Sequence, residues 1–137
     1  MTEQLSLEIV TPYGPLVEER VDEVVVPGAL GEMGILPGHL PLLSSLDTGV
    51  IRYSKGGRDK QLVVSWGFIE VDDAGRVILL ADTAEKAEDI DLDRAEEARK
   101  KAEVALADLS DTTTEEYRKQ ELKLRRAIIR LLVGGRG

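Results

Sequence analysis

The chain has no cysteine and, in 137 residues, one histidine, one tryptophan and one phenylalanine. Without thiols it has no disulfide framework, no thiolate nucleophile and no cysteine-bound zinc. One histidine rules out, within a single chain, any dyad or metal cluster that needs two. No apolar run approaches the roughly 20 residues of a membrane span, and the opening Met1-Thr2-Glu3-Gln4 lacks the basic and apolar blocks of a signal peptide. The expectation is a soluble, cytoplasmic-type protein. No G-x-x-x-x-G-K-[ST], G-x-S-x-G or H-E-x-x-H pattern occurs, and most carboxylates fall in expected helices and turns without a partner base. Enzyme is therefore the weakest functional class.

Charge is present but unevenly placed. The formal net charge is -8, yet residues 1 to 84 carry 13 acidic and 6 basic side chains, and residues 85 to 117 carry 12 and 5. Residues 118 to 137 reverse the sign, with one acidic and 7 basic. A protein this acidic over most of its length does not bind nucleic acid broadly, whereas its basic end suits an acidic protein surface or an anionic ligand.

The fold class expected is α+β in two domains: an antiparallel β-sandwich over residues 1 to 84, then a hinge and an antiparallel two-helix hairpin over 85 to 137. In the first part Leu5, Leu7 and Ile9 alternate with Ser6 and Glu8, the pattern of a half-buried strand. Val21 to Val26 is a second β-rich run. Val50 to Ser54 and Gln61 to Trp66 flank Lys55-Gly56-Gly57-Arg58, and Phe68 to Val71 and Arg76 to Ala81 flank Asp72-Asp73-Ala74-Gly75. Both intervals have hairpin-turn chemistry. Between them and the early strands, residues 28 to 43 mix glycine and proline with apolar side chains. That reads as a loop, one apolar enough to be pinned against something.

In the last third, Ala95, Ala98, Ala102, Ala105 and Leu109 recur at intervals of three and four, a narrow seam of small side chains on one helix. Asp91 is the expected N-cap, with Ile90 folding back on Ala95 as a hydrophobic staple. A second start is expected at Thr112 or Thr113, with Glu115 or Glu116 completing a capping box. Tyr117, Leu124, Ile128 and Leu131 form the facing stripe. If the turn centres near Asp111, Leu124 faces Ala98 and Leu131 faces Asp91, which sets Arg126 and Arg130 beside Arg94. Three guanidinium groups then converge unless carboxylates or an anion occupy the cluster. An alanine seam buries little area, so the hairpin is expected to open readily.

Three stretches, in this order, resemble the epsilon subunit of bacterial F-type ATP synthase. Gly31-Glu32-Met33-Gly34-Ile35-Leu36-Pro37-Gly38-His39 is similar to that family's glycine-rich signature, Gly67-Phe68-Ile69-Glu70-Val71 to its core strand, and Ile90-Asp91-Leu92-Asp93-Arg94-Ala95 to its nucleotide motif I-D-x-x-R-A. The resemblance covers essentially the whole chain. It implies a non-catalytic rotor subunit at the cytoplasmic face of the bacterial inner membrane, peripheral and without membrane insertion; a plastid-encoded member would look the same. The partners implied are the gamma subunit, the membrane ring of c subunits and, through the C-terminal helices, the catalytic alpha/beta head, where the hairpin inhibits ATP hydrolysis. No cofactor or metal is required. ATP is implied as a regulatory ligand of the folded hairpin, at the positions matching Glu85, Ile90, Asp91, Arg94, Ala95, Arg126 and Arg130. Glu32 and His39 are the implied ring and gamma contacts, and Lys123, Arg125 and Arg126 the basic contacts with the head.

Each feature has a plainer reading. The arginines could be ion-paired surface groups worth about 0 to 1 kcal/mol each, His39 a loop histidine donating to backbone, Glu32 a solvated carboxylate and Trp66 core or interface packing. A different function class, a stand-alone ATP-responsive binding module, leaves the apolar Gly/Pro loop without a use.

Overall fold

The computed structural model describes residues 3 to 134 and divides into two compact units after Lys86. The first is built from β1 (Leu5–Thr11), β2 (Gly14–Val21), β3 (Glu23–Gly28), β4 (Gly31–Ile35), β5 (Leu42–Leu46), β6 (Gly49–Lys55), β7 (Arg58–Val71) and β8 (Arg76–Lys86). The strands run in the order β2-β1-β8-β7-β5-β3-β4, and β6 joins β3 to β7. Every pair is antiparallel except β1 with β8, which is parallel. The alternation in β1 buries Leu5, Leu7 and Ile9, and the core is completed by inward side chains such as Val24, Val26, Ile51, Val64, Ile69 and Leu79.

Both glycine turns close as their chemistry requires. Gly56 and Gly57 take φ of 57° and 79°, the mirror-image conformation of a two-residue hairpin. In the turn between β7 and β8, Asp72 accepts at 2.9 Å from the N–H groups of Ala74 and Arg76, and Gly75 takes φ of 81°.

Three expectations need correction. The single run at Val21 to Val26 is the junction of two strands, β2 and β3. β2 is an edge strand with Pro15 and three consecutive charged residues, and only Val17 and Val21 are fully buried along it, so its alternation is masked. The Gly/Pro interval contains the strand β4, whose five residues pair with β3 through a turn at Ala29 and Leu30. That interval is pinned only in part: Ile35 is fully buried and Met33 and Leu42 pack against the core, whereas Leu30 is fully exposed and Leu40 and Leu43 largely so. Finally, the runs on either side of Trp66 are one strand, β7.

That strand changes partner at its middle. Residues up to Val64 pair with β6, residues from Gly67 pair with β5, and β8 accompanies both halves. At the corner Trp66 takes a positive φ of 23° and is half exposed, in edge contact with Phe68 at 6.3 Å between ring centroids. Trp66 is thus a surface residue and not part of the core. A Cβ on Gly67 would collide with the backbone carbonyl of Leu80. The corner exists because that residue has no side chain.

The second unit begins with a 3₁₀ turn, Ala87–Asp89, followed by α1 (Leu92–Ala107) and α2 (Glu115–Val133). Asp91 caps α1, its Oδ1 accepting from the Arg94 N–H at 3.1 Å. The cap of α2 is Thr114, not Thr112 or Thr113; its hydroxyl accepts from the Tyr117 N–H at 3.1 Å. Asp111 holds Thr113 through both its N–H and its hydroxyl, so the turn runs one residue longer before the helix starts. With Tyr117 in the third helical position there is no capping box.

The register of the hairpin also differs. Gly134 meets the side chains of Leu92 and Ile90, a shift of two to four residues from the expected pairing. Ala127 is buried and Ile128 is 42% exposed. Close approach of two axes over an alanine seam selects the smallest side chain on the inward stripe, and that is Ala127 rather than Ile128.

Gly67→Ala is expected to destabilise the first unit by about 3 kcal/mol, because the obstruction is backbone and cannot rotate away. Gly34→Ala, with nothing within 4 Å of the added carbon, should cost under about 1 kcal/mol. Urea denaturation of the two variants separates them; equal midpoints would contradict the reading of the corner.

Candidate functional site

The motif Ile90 to Ala95 forms the start of α1, and the local chemistry of a helix terminus accounts for each of its polar groups. Ile90 and Ala95 are buried. Asp91 spends one carboxylate oxygen on the cap, and its other lies 4.0 Å from Arg94 Nε. Arg94 itself is 81% exposed along its side chain.

Two turns further on, a groove of about 360 Å³ opens between α1 and α2. Its floor is alanine: Ala98, Ala102 and Ala105 from one helix and Ala127 from the other. Its rim is cationic, with Lys101 from α1 and Lys123, Arg126 and Arg130 from α2. Among the described residues no carboxylate lines it. The reason is helical periodicity. At 100° per residue Lys101 lies on the opposite side of α1 from Arg99. Arg99 engages Glu96 and, at 2.7 Å, Glu103. Those hydrogen bonds hold the Glu96 carboxyl below its usual range and raise Arg99 above its own. Two of the acids of α1 are thereby committed to the far side.

The structure brings together only some of the expected site. Arg126, Arg130 and Lys123 share the groove. Arg94 lies on the same stripe of α1 as Lys101, seven residues earlier, and does not line the groove. Arg125 faces away, lining a second depression of about 410 Å³ with Leu106, Tyr117, Leu124 and Ile128. Lys123, Arg125 and Arg126 therefore do not make one surface. Glu85 belongs to β8 in the first unit. Lys101 was not singled out from the sequence; extending the stripe of Arg94 by one heptad would have found it.

In the first unit Glu32 sits on β4 and pairs with Arg52 at 2.9 Å, so it is not simply solvated. His39 Nδ1 lies 2.7 Å from the carbonyl of Leu40, which fixes the proton on that nitrogen. On the outer face of the sheet Phe68, Leu80 and Val10 form a cross-strand row, with Trp66 beside it. Of these residues the sequence points only to Trp66 as an interface candidate.

Comparison with known proteins follows the same division of the chain. The family description "ATP synthase, Delta/Epsilon chain, beta-sandwich domain" matches residues 4–87, and "ATP synthase, Delta/Epsilon chain, long alpha-helix domain" matches residues 88–134. The chain is 47% identical over 136 residues to the ATP synthase epsilon chain of Geobacter metallireducens, covering 99% of this chain and 97% of that one. It is 44% identical over 137 residues to ATP synthase epsilon chain 2 of Syntrophotalea carbinolica, covering 100% and 98%. Among solved structures it is similar to a chain of the Euglena gracilis mitochondrial ATP synthase, OSCP/F1/c-ring, with a TM-score of 0.78 at 27% identity over 94% of this chain and 79% of that chain. It shares its fold with a chain of the Tetrahymena thermophila mitochondrial ATP synthase central stalk/c-ring, with a TM-score of 0.55 at 14% identity, covering 95% and 94%.

Two predictions concern the hairpin. Asp91→Ala should lower its stability by about 1 kcal/mol through loss of the cap, while Arg94→Ala should change it by less than about 0.5 kcal/mol; hydrogen exchange over α1 reads both. The Asp111 carboxyl is held below the usual aspartate range, first by the Thr113 hydroxyl and then by its N–H. A depressed folded value means that its contribution is complete above the ordinary aspartate pKa and is lost as pH falls below it. A carboxyl-carbon NMR titration should show Asp111 titrating below the ordinary value, and returning toward it in Thr113→Ala.

Proposed function

This chain belongs to the delta/epsilon chain family of ATP synthase, and on that premise we propose how its two units serve the complex. It is an epsilon subunit of an F-type ATP synthase, a non-catalytic component of the central stalk. Among the described residues no helix is long and apolar enough to cross a membrane, so it joins the complex through protein contacts.

The β-sandwich unit supplies the standing contacts, with the gamma subunit and with the membrane ring at the cytoplasmic face. Exposed Leu30, Leu40 and Leu43 around Glu32 and His39 give that surface its apolar area. The helical unit is the regulator: closed it leaves the enzyme free to run in both directions, and opened it reaches the catalytic alpha/beta head and hinders ATP hydrolysis. ATP favours the closed form. Arg126 and Arg130 take its phosphates, and Asp91, Arg94 and the apolar Ile90 and Ala95 meet the nucleoside at the start of α1, with Glu85 as a further acceptor.

The observation that carries this reading is the pairing of an alanine seam with a cationic groove. Ala95, Ala102 and Ala127 are the buried alanines of the two helices, and at about 0.8 kcal/mol per buried methyl-sized group they contribute on the order of 2 kcal/mol, with buried Ile90 and Val133 adding to it, before conformational entropy is subtracted. A ligand specific to the closed form, at one hundred times its dissociation constant, contributes about 2.7 kcal/mol. The two terms are comparable, so a nucleotide at cellular concentration is able to decide which form is populated.

Calorimetric titration of the whole chain with ATP tests the ligand, with Arg126→Glu as the variant. Saturable binding that the charge reversal weakens by about tenfold or more is expected; unchanged affinity in the variant would remove Arg126 from the site. Co-expression with the gamma subunit tests the partner. A stable complex lost on Leu40→Ser/Leu43→Ser is expected, and no complex with the wild-type chain would sink the stalk contact proposed for this surface.

A further inference from the structure

The strand held least firmly in the first unit is β2. It ends the sheet order, so among the described residues only β1 pairs with it. That ladder is itself weak. Its register slips between Ile9 and Val10: Ile9 stands opposite Val17 but Val10 opposite Pro15, so Leu16 bulges out of the pairing. Pro15 has no N–H to give the ladder. Glu18 stands directly opposite Glu8, and like charges facing one another across a strand pair oppose the pairing. Arg76 of β8 reaches only Glu8, at 3.4 Å. Along β2 the fully buried side chains are Val17 and Val21.

Side-chain contacts tie down the far end of the strand. Asp22, half-buried between β2 and β3, draws together segments that are distant in sequence. Its N–H donates to the Ser54 carbonyl at 2.8 Å, its Oδ1 accepts from the Gln4 side-chain amide at 3.2 Å, and its Oδ2 accepts from the Gly56 N–H at 2.9 Å. Lys55, beside that glycine, lies 3.9 Å from Glu19 of β2. These contacts cross from β2 to the tip of the β6–β7 hairpin, a gap that no ladder spans among the described residues.

We propose that β2 is a strap: it opens from β1 as a loop anchored at both ends while the rest of the sandwich stays folded, and the Asp22 carboxylate is the clasp that holds it shut. The hinge at its other end is the turn before Gly14, which takes φ of 118° and has nothing within 4 Å of the Cβ it lacks. The charge pattern agrees. Pro15 and the run Glu18-Glu19-Arg20 deter another chain from pairing along this edge, a protection that a permanently sealed strand does not need. Opening gives up Val17, Val21 and the part-buried Leu16, and leaves the core around Ile51, Val64, Ile69 and Leu79 in place. The strap lies within the first unit and works without any ligand of the helical one.

Native-state amide hydrogen exchange on the full chain, followed by NMR at rising low concentrations of urea, tests the strap. In the wild-type chain the β1–β2 ladder is expected to exchange through an opening that urea hardly accelerates, because little surface is exposed, while the β6–β7 ladder around Ile51 and Leu62 speeds up with urea. Asp22→Ala should speed the β1–β2 ladder by about tenfold or more and leave the β6–β7 ladder within about threefold. Glu18→Lys, which sets opposite charges across the pair, should slow the β1–β2 ladder by about threefold. Equal acceleration of both ladders in Asp22→Ala overturns the strap, as does a wild-type β1–β2 ladder that follows urea in step with β6–β7. Unchanged exchange in Asp22→Ala overturns the clasp. If Asp22→Ala does not fold, the wild-type urea dependence and Glu18→Lys decide, and exchange that Glu18→Lys fails to slow overturns the proposal.

Discussion

The helical unit depends on one constraint: its two helices meet through alanine. Ala95 and Ala102 are buried on α1 and Ala127 on α2, and side chains this small let the axes approach closely while removing little apolar area from water. Closeness and weakness thus come from the same residues. A seam of leucines would hold the helices further apart and far more firmly, and the cations at its edge would stand too far from one another to share a ligand. Here Lys101 on one helix and Lys123, Arg126 and Arg130 on the other line one groove. What stabilises closure least also brings the like charges together.

The first unit answers to a different constraint, backbone against backbone. β7 is shared by β6 over its first half and by β5 over its second, so the strand must turn while keeping its ladder with β8. Gly67 allows the close approach of the Leu80 carbonyl, and Trp66 absorbs the bend in a conformation that L residues rarely adopt. The cost appears as an aromatic side chain displaced to the surface, where it packs on the edge of Phe68. On either side of these residues the same strand serves the core through Val64 and Ile69 and the outer face through Phe68. No such corner is needed in the hairpin, whose helices are independent rods capped by Asp91 and Thr114.

What the sequence shows and what it hides follow from these constraints. Period-two alternation with one buried face is visible in β1, and Gly56-Gly57 and Asp72-Asp73-Ala74-Gly75 mark the two hairpins, because those signals are local. β2 is hidden because it is an edge strand, where charged residues and Pro15 are tolerated and blur the alternation. β4 is hidden because its glycines look like loop, although Gly31 closes the turn from β3 into β4 with φ of 127°. Helix existence and the Asp91 cap are likewise legible. The register is not, since it is chosen by which side chains let two axes come closest, a tertiary quantity. A shift of two to four residues changes which side chains lie opposite one another along the whole hairpin.

Charge sign along the sequence is a coarser quantity than charge on a face. Residues 85 to 117 are strongly acidic as a block, an excess that on composition alone neutralises the basic helix that follows. The fold prevents much of that cancellation. Glu96 and Glu103 are bound to Arg99 on the side of α1 turned away from the groove, and Asp91 is consumed by its own helix terminus. Lys101, on the other side of α1, lines the basic groove, and no acid lines it among the described residues. Intrahelical ion pairs and caps are satisfied whether the hairpin is closed or open, so they contribute equally to both forms and cannot bias the choice. The groove cations contribute only to one. A charge set that differs between two forms is where an anion acts, and in this chain that set is confined to the one face where helices built on alanine bring it together.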